Sequence, residues 1–188
     1  MRPGKPRERI LDTATALFDE EGISAVGVNR IIEEADVAPM TLYRQFGSKD
    51  ALVAATIEQW SSQWLHMLSD RLERYGDHAE AKYAALWDAL ESWFASDDFR
   101  GSFVLNAAAE LRSEPHHPAH SVIAAHRRAV RQLLEDLAKA AGSHDPAGLA
   151  EQLQVLMDGA IEIAALDGQL AAARTSRTLA LAALGTGA

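Results

Sequence analysis

The sequence predicts an all-α protein, and two observations carry that prediction. Apolar residues recur every three or four positions along almost the whole chain, and no segment alternates with period two for long enough to indicate a strand. Glycines, prolines and short polar clusters divide this pattern into nine segments of helical length.

The first three segments predict short helices. Helix one is expected at residues 6–21, and Gly22 suits the left-handed cap that ends it. A helix of two turns follows and ends at Asp36, a residue type that tolerates the left-handed conformation of a tight turn. Pro39 then suits the first position of a third helix at 39–45. The buried stripe of helix one is predicted to be Ile10, Ala14, Leu17 and Phe18.

The fourth predicted helix is much longer than the first three. Ser48 is placed to cap its start, and Gly76 is placed to stop it. Its apolar stripe comprises Val53, Ile57, Trp60, Trp64, Leu68, Leu72 and Tyr75. The remaining helices are predicted at 79–95, 101–112, 118–141, 146–168 and 171–184.

The charge distribution restricts how the protein can contact nucleic acid. The 18 basic and 27 acidic residues give a net charge of −9, which argues against indiscriminate binding, so any DNA contact must be local. Residues 1–9 carry Arg2, Lys5, Arg7 and Arg9 against Glu8 alone. This start of the chain is either a basic arm that reaches DNA or a solvated tail before a helix.

Composition also excludes several classes of protein. No run approaches the roughly 18 apolar residues that a membrane span requires, so no membrane association is expected. The N-terminus leads into an amphipathic pattern, which predicts no signal peptide. The chain has no cysteine, which excludes disulfides and thiolate metal sites and favours a cytoplasmic location.

Helices two and three have the lengths and spacing of a helix-turn-helix, because a four-residue corner joins them and a further helix lies behind them. Leu42 and Phe46 are four residues apart and should face the core. The remaining side chains of the third helix suit base edges, thymine methyl groups and phosphates, and Lys49 suits a phosphate. With Arg7 of the basic arm, the predicted DNA-binding residues are Pro39, Met40, Thr41, Tyr43, Arg44, Gln45 and Lys49. Spacing alone also allows an ordinary three-helix packing unit with a polar surface.

The segment from residue 8 to residue 53, "ERILDTATALFDEEGISAVGVNRIIEEADVAPMTLYRQFGSKDALV", resembles the DNA-binding domain of the TetR family of transcriptional regulators. The Ile-Leu start, the Leu-Phe before an acidic residue and glycine, and the "TLY..F.SK..L" ending carry the resemblance. It covers about a quarter of the chain, and the nine-helix layout with a long fourth helix also fits that family.

The resemblance implies an N-terminal helix-turn-helix domain at 1–50 and a helical dimerisation and ligand-binding domain at 51–188. It implies a homodimer that binds double-stranded DNA at an inverted-repeat operator, a repressor released by a small-molecule effector. Thr41, Tyr43, Gln45 and Lys49 fall on positions that commonly touch DNA in the family. Two residues depart from its pattern. Asp36 replaces the usual turn glycine, and Ala38 replaces a capping serine whose hydrogen bond stabilises a helix by roughly 1 kcal/mol.

The helix predicted at 146–168 is apolar on more than one side. Gly159, Ile163 and Leu166 widen its apolar stripe, and such a helix needs two partners. A two-fold contact with a second copy supplies one of them, and a fully buried helix in a monomer is the alternative. The predicted dimer interface comprises Leu149, Leu153, Leu156, Ala160, Ile163 and Ala164.

Aromatic residues of the central helices suggest an effector pocket, although aromatics at helical spacing are also typical of plain core. The predicted ligand-binding residues are Trp60, Trp64, Trp87, Phe94, Phe103, Asn106 and Met157. The sequence does not name the effector.

Three other hypotheses remain at this point. His116, His117 and His120 share the spacing of metal ligands, but the flanking prolines favour a solvated helix entry, and no metal or cofactor is predicted. An all-α enzyme would need an organised acid, base or metal triad, and the spacings assemble none, so no enzyme is predicted. A helical interaction module that has lost DNA binding is the third.

Overall fold

The computed structural model describes residues 5–186, so the predicted contribution of Arg2 to a basic arm lies outside the described residues. Within that range the chain is helical and contains no strand, which confirms the all-α prediction. The α-helices are α1 (Pro6–Glu21), α2 (Val28–Glu34), α3 (Pro39–Phe46), α4 (Lys49–Glu73), α5 (Ala79–Phe94), α6 (Phe103–Glu110), α7 (Ala119–Ala140), α8 (Pro146–Asp167) and α9 (Ala171–Thr186). None of these helices, over the part of the chain described, is long and apolar enough to cross a membrane.

Local sequence signals account for most of the helix ends. Gly22 ends α1 with φ +89° and ψ 152°, outside the left-handed helical region predicted for it, although its positive φ still favours glycine; its N–H donates to the carbonyl oxygen of Phe18. Ser48 caps α4, because its Oγ accepts a hydrogen bond from the N–H of Ala51 at 3.1 Å. The end of α6 differs from the prediction, since the helix tightens into a 3₁₀ turn at Leu111–Ser113.

The described residues form two compact units. The first unit contains the chain up to Gln63 together with Phe103–His126, and the second contains Trp64–Ser102 together with the chain from Arg127. The functional boundary expected at residue 50 stays a prediction. The core of the first unit is built from α1, α2, α3, the start of α4 and α6, and its fully buried side chains include Ile10, Phe18, Ile31, Leu42, Leu52, Ile57 and Phe103.

The second unit buries large side chains of α4, α5, α7 and α8. Ion pairs join helices at its surface: Arg127 of α7 contacts Asp158 of α8 at 3.0 Å, and Arg177 of α9 contacts Asp88 of α5 at 2.6 Å. Its core side chains include Leu68, Tyr83, Leu86, Trp87, Leu90, Leu134, Leu153 and Met157.

Tyr83 joins α5 to α9 inside this unit, because its hydroxyl donates a hydrogen bond to the carbonyl oxygen of Ala180 at 2.8 Å. Burial raises the pKa of Tyr83 from 10.0 to about 12. The folded state therefore holds the phenolic proton more tightly than the unfolded state does. The resulting stabilisation is complete below about pH 10 and is lost as the pH rises towards about 12.

We expect the free energy of unfolding to fall by about 2–3 kcal/mol over that interval because of Tyr83 alone. Urea unfolding at a series of alkaline pH values measures this fall. Tyr83→Phe should remove this component of the pH dependence, whereas Tyr75→Phe, at an exposed tyrosine, should keep it. An equal alkaline fall in both variants would contradict the role assigned to Tyr83.

Candidate nucleic-acid interface

Helix α3 contributes a single fully buried side chain to the core of the first unit. Leu42 is completely buried and Phe46 packs against the same core, as their four-residue spacing predicts. Pro39 occupies the first turn of the helix after Ala38, whose side chain supplies no capping hydrogen bond. Gly47, with φ +82°, ends the helix and donates its N–H to the carbonyl oxygen of Tyr43 at 2.8 Å.

The opposite surface of α3 is open to solvent. Met40 is 75% exposed and Tyr43 is 47% exposed. Pro39, Arg44 and Gln45 are also exposed, and Thr41 is half-buried. The structure thus brings six of the eight predicted DNA-binding residues together on one short helix with a free outer face.

The corner between α2 and α3 is fixed by a contact from α1. Asp36 adopts φ +53°, as predicted for its left-handed position. Arg9 donates from Nη2 to the carbonyl oxygen of Asp36 at 3.1 Å, and its Nη1 lies 3.8 Å from Oδ2 of the same residue. This side chain thus links α1 to the corner, and Asp36 occupies the left-handed position because aspartate tolerates that conformation.

Lys49 and Arg7, the other two predicted DNA-binding residues, make contacts within the protein. The ammonium of Lys49 donates to the carbonyl oxygen of Ile23 at 2.7 Å and lies 5.9 Å from the centre of the Phe18 ring. The guanidinium of Arg7 lies 5.0 Å from the centre of the Phe46 ring, a cation–π distance. Arg7 remains exposed at the edge of α3, whereas Lys49 is half-buried.

We therefore expect Lys49→Ala to lower stability as well as any DNA affinity. Losing a charged donor to a partly buried carbonyl should reduce the free energy of unfolding by about 1–2 kcal/mol, as measured by urea unfolding without DNA. Arg44→Ala, at an exposed side chain of α3, should change it by less than about 0.5 kcal/mol. If Lys49→Ala were as stable as the wild type, the bond to Ile23 would contribute nothing measurable.

The predicted effector residues of the first unit are Trp60, Phe103 and Asn106. The rings of Trp60 and Phe103 meet edge to face with centroids 6.3 Å apart, while Asn106 is exposed. His126, which the sequence did not single out, lies 6.0 Å from the Trp60 ring and shares a hydrogen bond of 2.8 Å with the Ser61 hydroxyl. Nothing in the local sequence marks this buried pair.

The predicted effector residues of the second unit are Trp64, Trp87, Phe94 and Met157, and all four are buried. Trp64 and Phe94 belong to an aromatic cluster with Trp93 and Phe99, in which the Trp93 and Phe99 centroids are 5.0 Å apart. Trp87 is not part of this cluster, and its indole nitrogen is buried without a hydrogen-bond partner among the described residues.

The predicted dimer residues divide between the two sides of α8. Leu149, Leu153, Ala160 and Ala164 are buried within the protein's own second unit. Leu156 is half-buried, and Ile163 is 45% exposed. On the outer side of the helix, Val155 is 72% and Leu166 is 80% exposed, and Val155 is not among the residues predicted from the sequence.

The histidine cluster is engaged in ordinary contacts. His120 Nε2 hydrogen-bonds the carbonyl oxygen of Glu114 at 2.9 Å, and His117 Nε2 lies 3.7 Å from Oδ1 of Asp50. His116 is exposed. Across the described part of the chain, no three histidine, aspartate or glutamate side chains are grouped to hold a metal ion.

A three-helix unit whose third helix is seated by one leucine and exposes polar and aromatic side chains has the geometry of a helix-turn-helix DNA-binding protein. Residues 10–56 match the sequence family described as "Bacterial regulatory proteins, tetR family". The solved structure of SCO4454, a TetR-family transcriptional regulator from Streptomyces coelicolor, is 31% identical and aligns over 97% of this chain and 95% of that chain with a TM-score of 0.88. The chain belongs to the TetR family of transcriptional regulators.

Two further relatives agree with this assignment. The Streptomyces avermitilis regulator sav143 is 27% identical, with 97% of this chain and 99% of that chain covered and a TM-score of 0.83. The HTH-type transcriptional regulator LmrA of Bacillus subtilis is 33% identical over 118 residues, or 61% of this chain and 63% of LmrA, so the match spans less than two thirds of LmrA. The protein is thus a DNA-binding transcriptional regulator and not an enzyme.

Proposed function

We propose that the protein is a homodimeric repressor that binds an inverted-repeat operator and leaves it when a small-molecule effector binds. The observation that carries this proposal is the presence of two separate exposed surfaces. One is the outer face of α3, and the other is the outer, apolar face of α8 and α9. The first suits a major groove, and the second suits another copy of the chain.

The α3 face supplies the chemistry of base and phosphate contacts. Met40 can touch a thymine methyl group, Gln45 can pair with adenine, and Arg44 can reach guanine or a phosphate. Tyr43 has the reach for a phosphate, and Thr41 for a base edge or phosphate. Arg7, which lies over the Phe46 ring, and Lys49, the first residue of α4, also belong to the proposed contact set. A DNA contact by either residue would weaken its contact within the protein.

The outer face of α8 carries exposed apolar side chains over three turns, interrupted by the exposed Glu162. Val155, Gly159 and Leu166 lie on one line of the helix, and Ile163 lies beside them. A groove of about 320 Å³ runs between this face and α9, where Leu179 is 52% exposed. Several large exposed apolar side chains on one helix face are characteristic of an interface between subunits, which commonly also contains polar residues.

A second copy is the occupant that this face suits best. An isologous contact places the same strip on both subunits, so an apolar strip meets an apolar strip. Gly159 is exposed in the middle of a helix, where glycine is less stable than alanine by roughly 1 kcal/mol, and a close approach of two helices is a reason for it to be there. The proposed interface therefore centres on Val155, Gly159, Ile163 and Leu166 and not on the buried stripe.

Selection of bound sequences from a random duplex library tests the DNA-binding half of the proposal. A dimer should enrich an inverted repeat, and its affinity for the selected duplex should fall steeply with salt because phosphate contacts release counterions. Sedimentation of the free protein should give twice the mass of the chain. Enrichment of a single half-site by a monomer would overturn the dimer, and enrichment of no sequence at low salt would favour the interaction module without DNA binding.

Two buried polar atoms of the second unit support the proposal that an effector binds there. The Trp87 indole nitrogen on α5 and the Gln154 side-chain oxygen on α8 are buried, and neither has a hydrogen-bond partner among the residues described. A buried donor or acceptor left unsatisfied costs about 1–3 kcal/mol. A mostly apolar effector that offers an acceptor to the Trp87 nitrogen or a donor to the Gln154 oxygen would satisfy that atom and so favour the state that binds it.

This effector proposal is tested with small apolar molecules that carry one hydroxyl or amide group, scored by release of a labelled operator duplex. Trp87→Phe and Gln154→Leu remove the unpaired atoms, so both variants should keep operator affinity and lose the response to any active compound. A compound that releases the operator duplex from both variants as readily as from the wild type would show that these two atoms do not bind the effector.

A further inference from the structure

Glu110, the last residue of α6, binds the turn between α1 and α2. Its Oε1 accepts a hydrogen bond from the N–H of Ile23 at 3.1 Å, and its Oε2 accepts one from the N–H of Ser24 at 2.9 Å. One carboxylate therefore satisfies two consecutive backbone donors that lie 86 and 87 residues away in the sequence. Hydrogen bonds to an ionised acceptor are the stronger kind.

The turn is shaped to receive this carboxylate. Gly22 precedes the two donors with φ +89°, a conformation that side chains disfavour. A Cβ at this position would lie 3.2 Å and 3.3 Å from the two carboxylate oxygens of Glu110. Glycine therefore provides both the backbone conformation and the space for the contact.

The same turn is also bound by Lys49, which lies just after the end of α3. The carbonyl oxygen of Ile23 accepts the hydrogen bond from Lys49, and the Ile23 side chain is 3% exposed in the core. Lys49 is the first residue of α4 and follows the end of α3 by three positions. Glu110 is thus connected through one residue, Ile23, to the point where α3 ends and α4 begins.

A second contact reaches that point from the start of α7. His117 is buried, and its Nδ1 accepts a hydrogen bond from the N–H of Ala119 at 3.1 Å. In the neutral ring the proton then belongs to Nε2, which faces Oδ1 of Asp50 at 3.7 Å. Residues 110–117, the elbow between α6 and α7, therefore contact both the α1–α2 turn and the first turn of α4.

We propose that Glu110 is a positioning residue for DNA recognition: by binding the α1–α2 turn it fixes the direction in which α3 is presented to the operator. Glu110 touches no base and contributes no DNA contact of its own. Its carboxylate limits the orientations that α3 can adopt within the first unit. In a dimer, this limits the half-site spacings that both copies of α3 can bind at once. This consequence rests on the proposed homodimer.

The test compares the wild type with Glu110→Gln on the selected operator and on duplexes with one base pair inserted between, or deleted from, the half-sites. The amide keeps the size of the side chain but loses the charge and one of the two acceptors. We expect the wild type's preference for the native spacing to fall by roughly fivefold in Glu110→Gln. A loss of folded protein would lower all three affinities together and leave their ratios unchanged.

Amide hydrogen exchange in the DNA-free protein provides a second readout. The N–H groups of Ile23 and Ser24 should exchange faster in Glu110→Gln and also in Glu110→Asp, which keeps the charge and shortens the reach. Glu114→Gln is the matched control, because Glu114 is an exposed glutamate of the same elbow whose carboxylate forms no hydrogen bond or ion pair with another described residue. It should reproduce the wild type in both measurements.

The outcomes separate this inference from the function on which it rests. If the wild type is monomeric or selects no sequence, the homodimeric repressor fails, and unchanged exchange at Ile23 and Ser24 in Glu110→Gln then overturns the role of Glu110 as well. If the wild type distinguishes the spacings and Glu110→Gln distinguishes them equally, the repressor stands and the positioning role is wrong.

Discussion

Val155→Glu is expected to convert the protein from a dimer to a monomer and to weaken operator binding by roughly 100-fold or more, because a dimer binds its second half-site at a high effective concentration. Val155 is 72% exposed in the single chain and is one of the four α8 residues of the proposed interface. In a two-fold contact each substitution occurs twice, so two carboxylates would be buried without partners. Each unpaired buried charge costs about 3–5 kcal/mol.

Sedimentation velocity and operator titration measure the two effects. Gly159→Leu is the second variant, since a Cβ at Gly159 meets nothing within 4 Å in the single chain. It should leave the monomer as stable as before, or more stable, and still weaken the dimer by keeping the helices apart. Ala129→Glu adds the same charge to an exposed position of α7 and should remain a dimer. A dimeric Val155→Glu variant with unchanged affinity would exclude this face.

The helix bounds were largely predictable because the signals that end helices are local. Gly22, Asp36 and Ser48 act on their own neighbours, and each behaves as its residue type suggests. The end of α6 was predicted two residues too late, as apolar periodicity continues to Leu111. Pro115 disfavours helical conformation in the residue before it, and the chain leaves the helix early through a 3₁₀ turn.

The outer face of α3 was predictable for a similar reason, since the spacing of Leu42 and Phe46 indicates which side is buried. The internal bond of Lys49 was not predictable, because its partner Ile23 lies 26 residues away in a turn whose shape the local pattern does not specify. Glu110 illustrates the same limit over 87 residues. Contacts made by exposed polar side chains across such distances leave no periodic signal.

Helix α8 shows a different limit. Its pattern correctly indicated a helix that is apolar on more than one side, but periodicity cannot tell which side packs on the same chain. The stripe of Leu149 and Leu153 proves to be the internal one, with Leu153 fully buried. The side that remains for a partner carries Val155 and Leu166, interrupted by polar residues such as Glu162. Interfaces between subunits commonly mix the two kinds of residue, which weakens their sequence signal.

Arg44→Ala is expected to reduce operator affinity by roughly 10- to 100-fold while leaving the fold intact. Arg44 lies on the exposed face of α3, next to the exposed Tyr43. In a chain of net charge −9, cations on this face must supply the local attraction for DNA. If Arg44 binds a phosphate, affinity should fall alike for all sequences, and the slope of log affinity against log salt should decrease by about one.

If Arg44 reads guanine instead, the loss should be confined to duplexes that keep the preferred base, and selection with Arg44→Ala should show relaxed preference at one position of each half-site. Titrations at several salt concentrations distinguish these two roles, and both require that urea unfolding be unchanged. Arg112→Ala is the matched control, because Arg112 is an exposed arginine of the first unit outside α3. Equal operator affinity in Arg44→Ala, Arg112→Ala and the wild type would mean that DNA does not contact α3 at this residue, and the reading face would have to lie nearer to Met40 and Thr41.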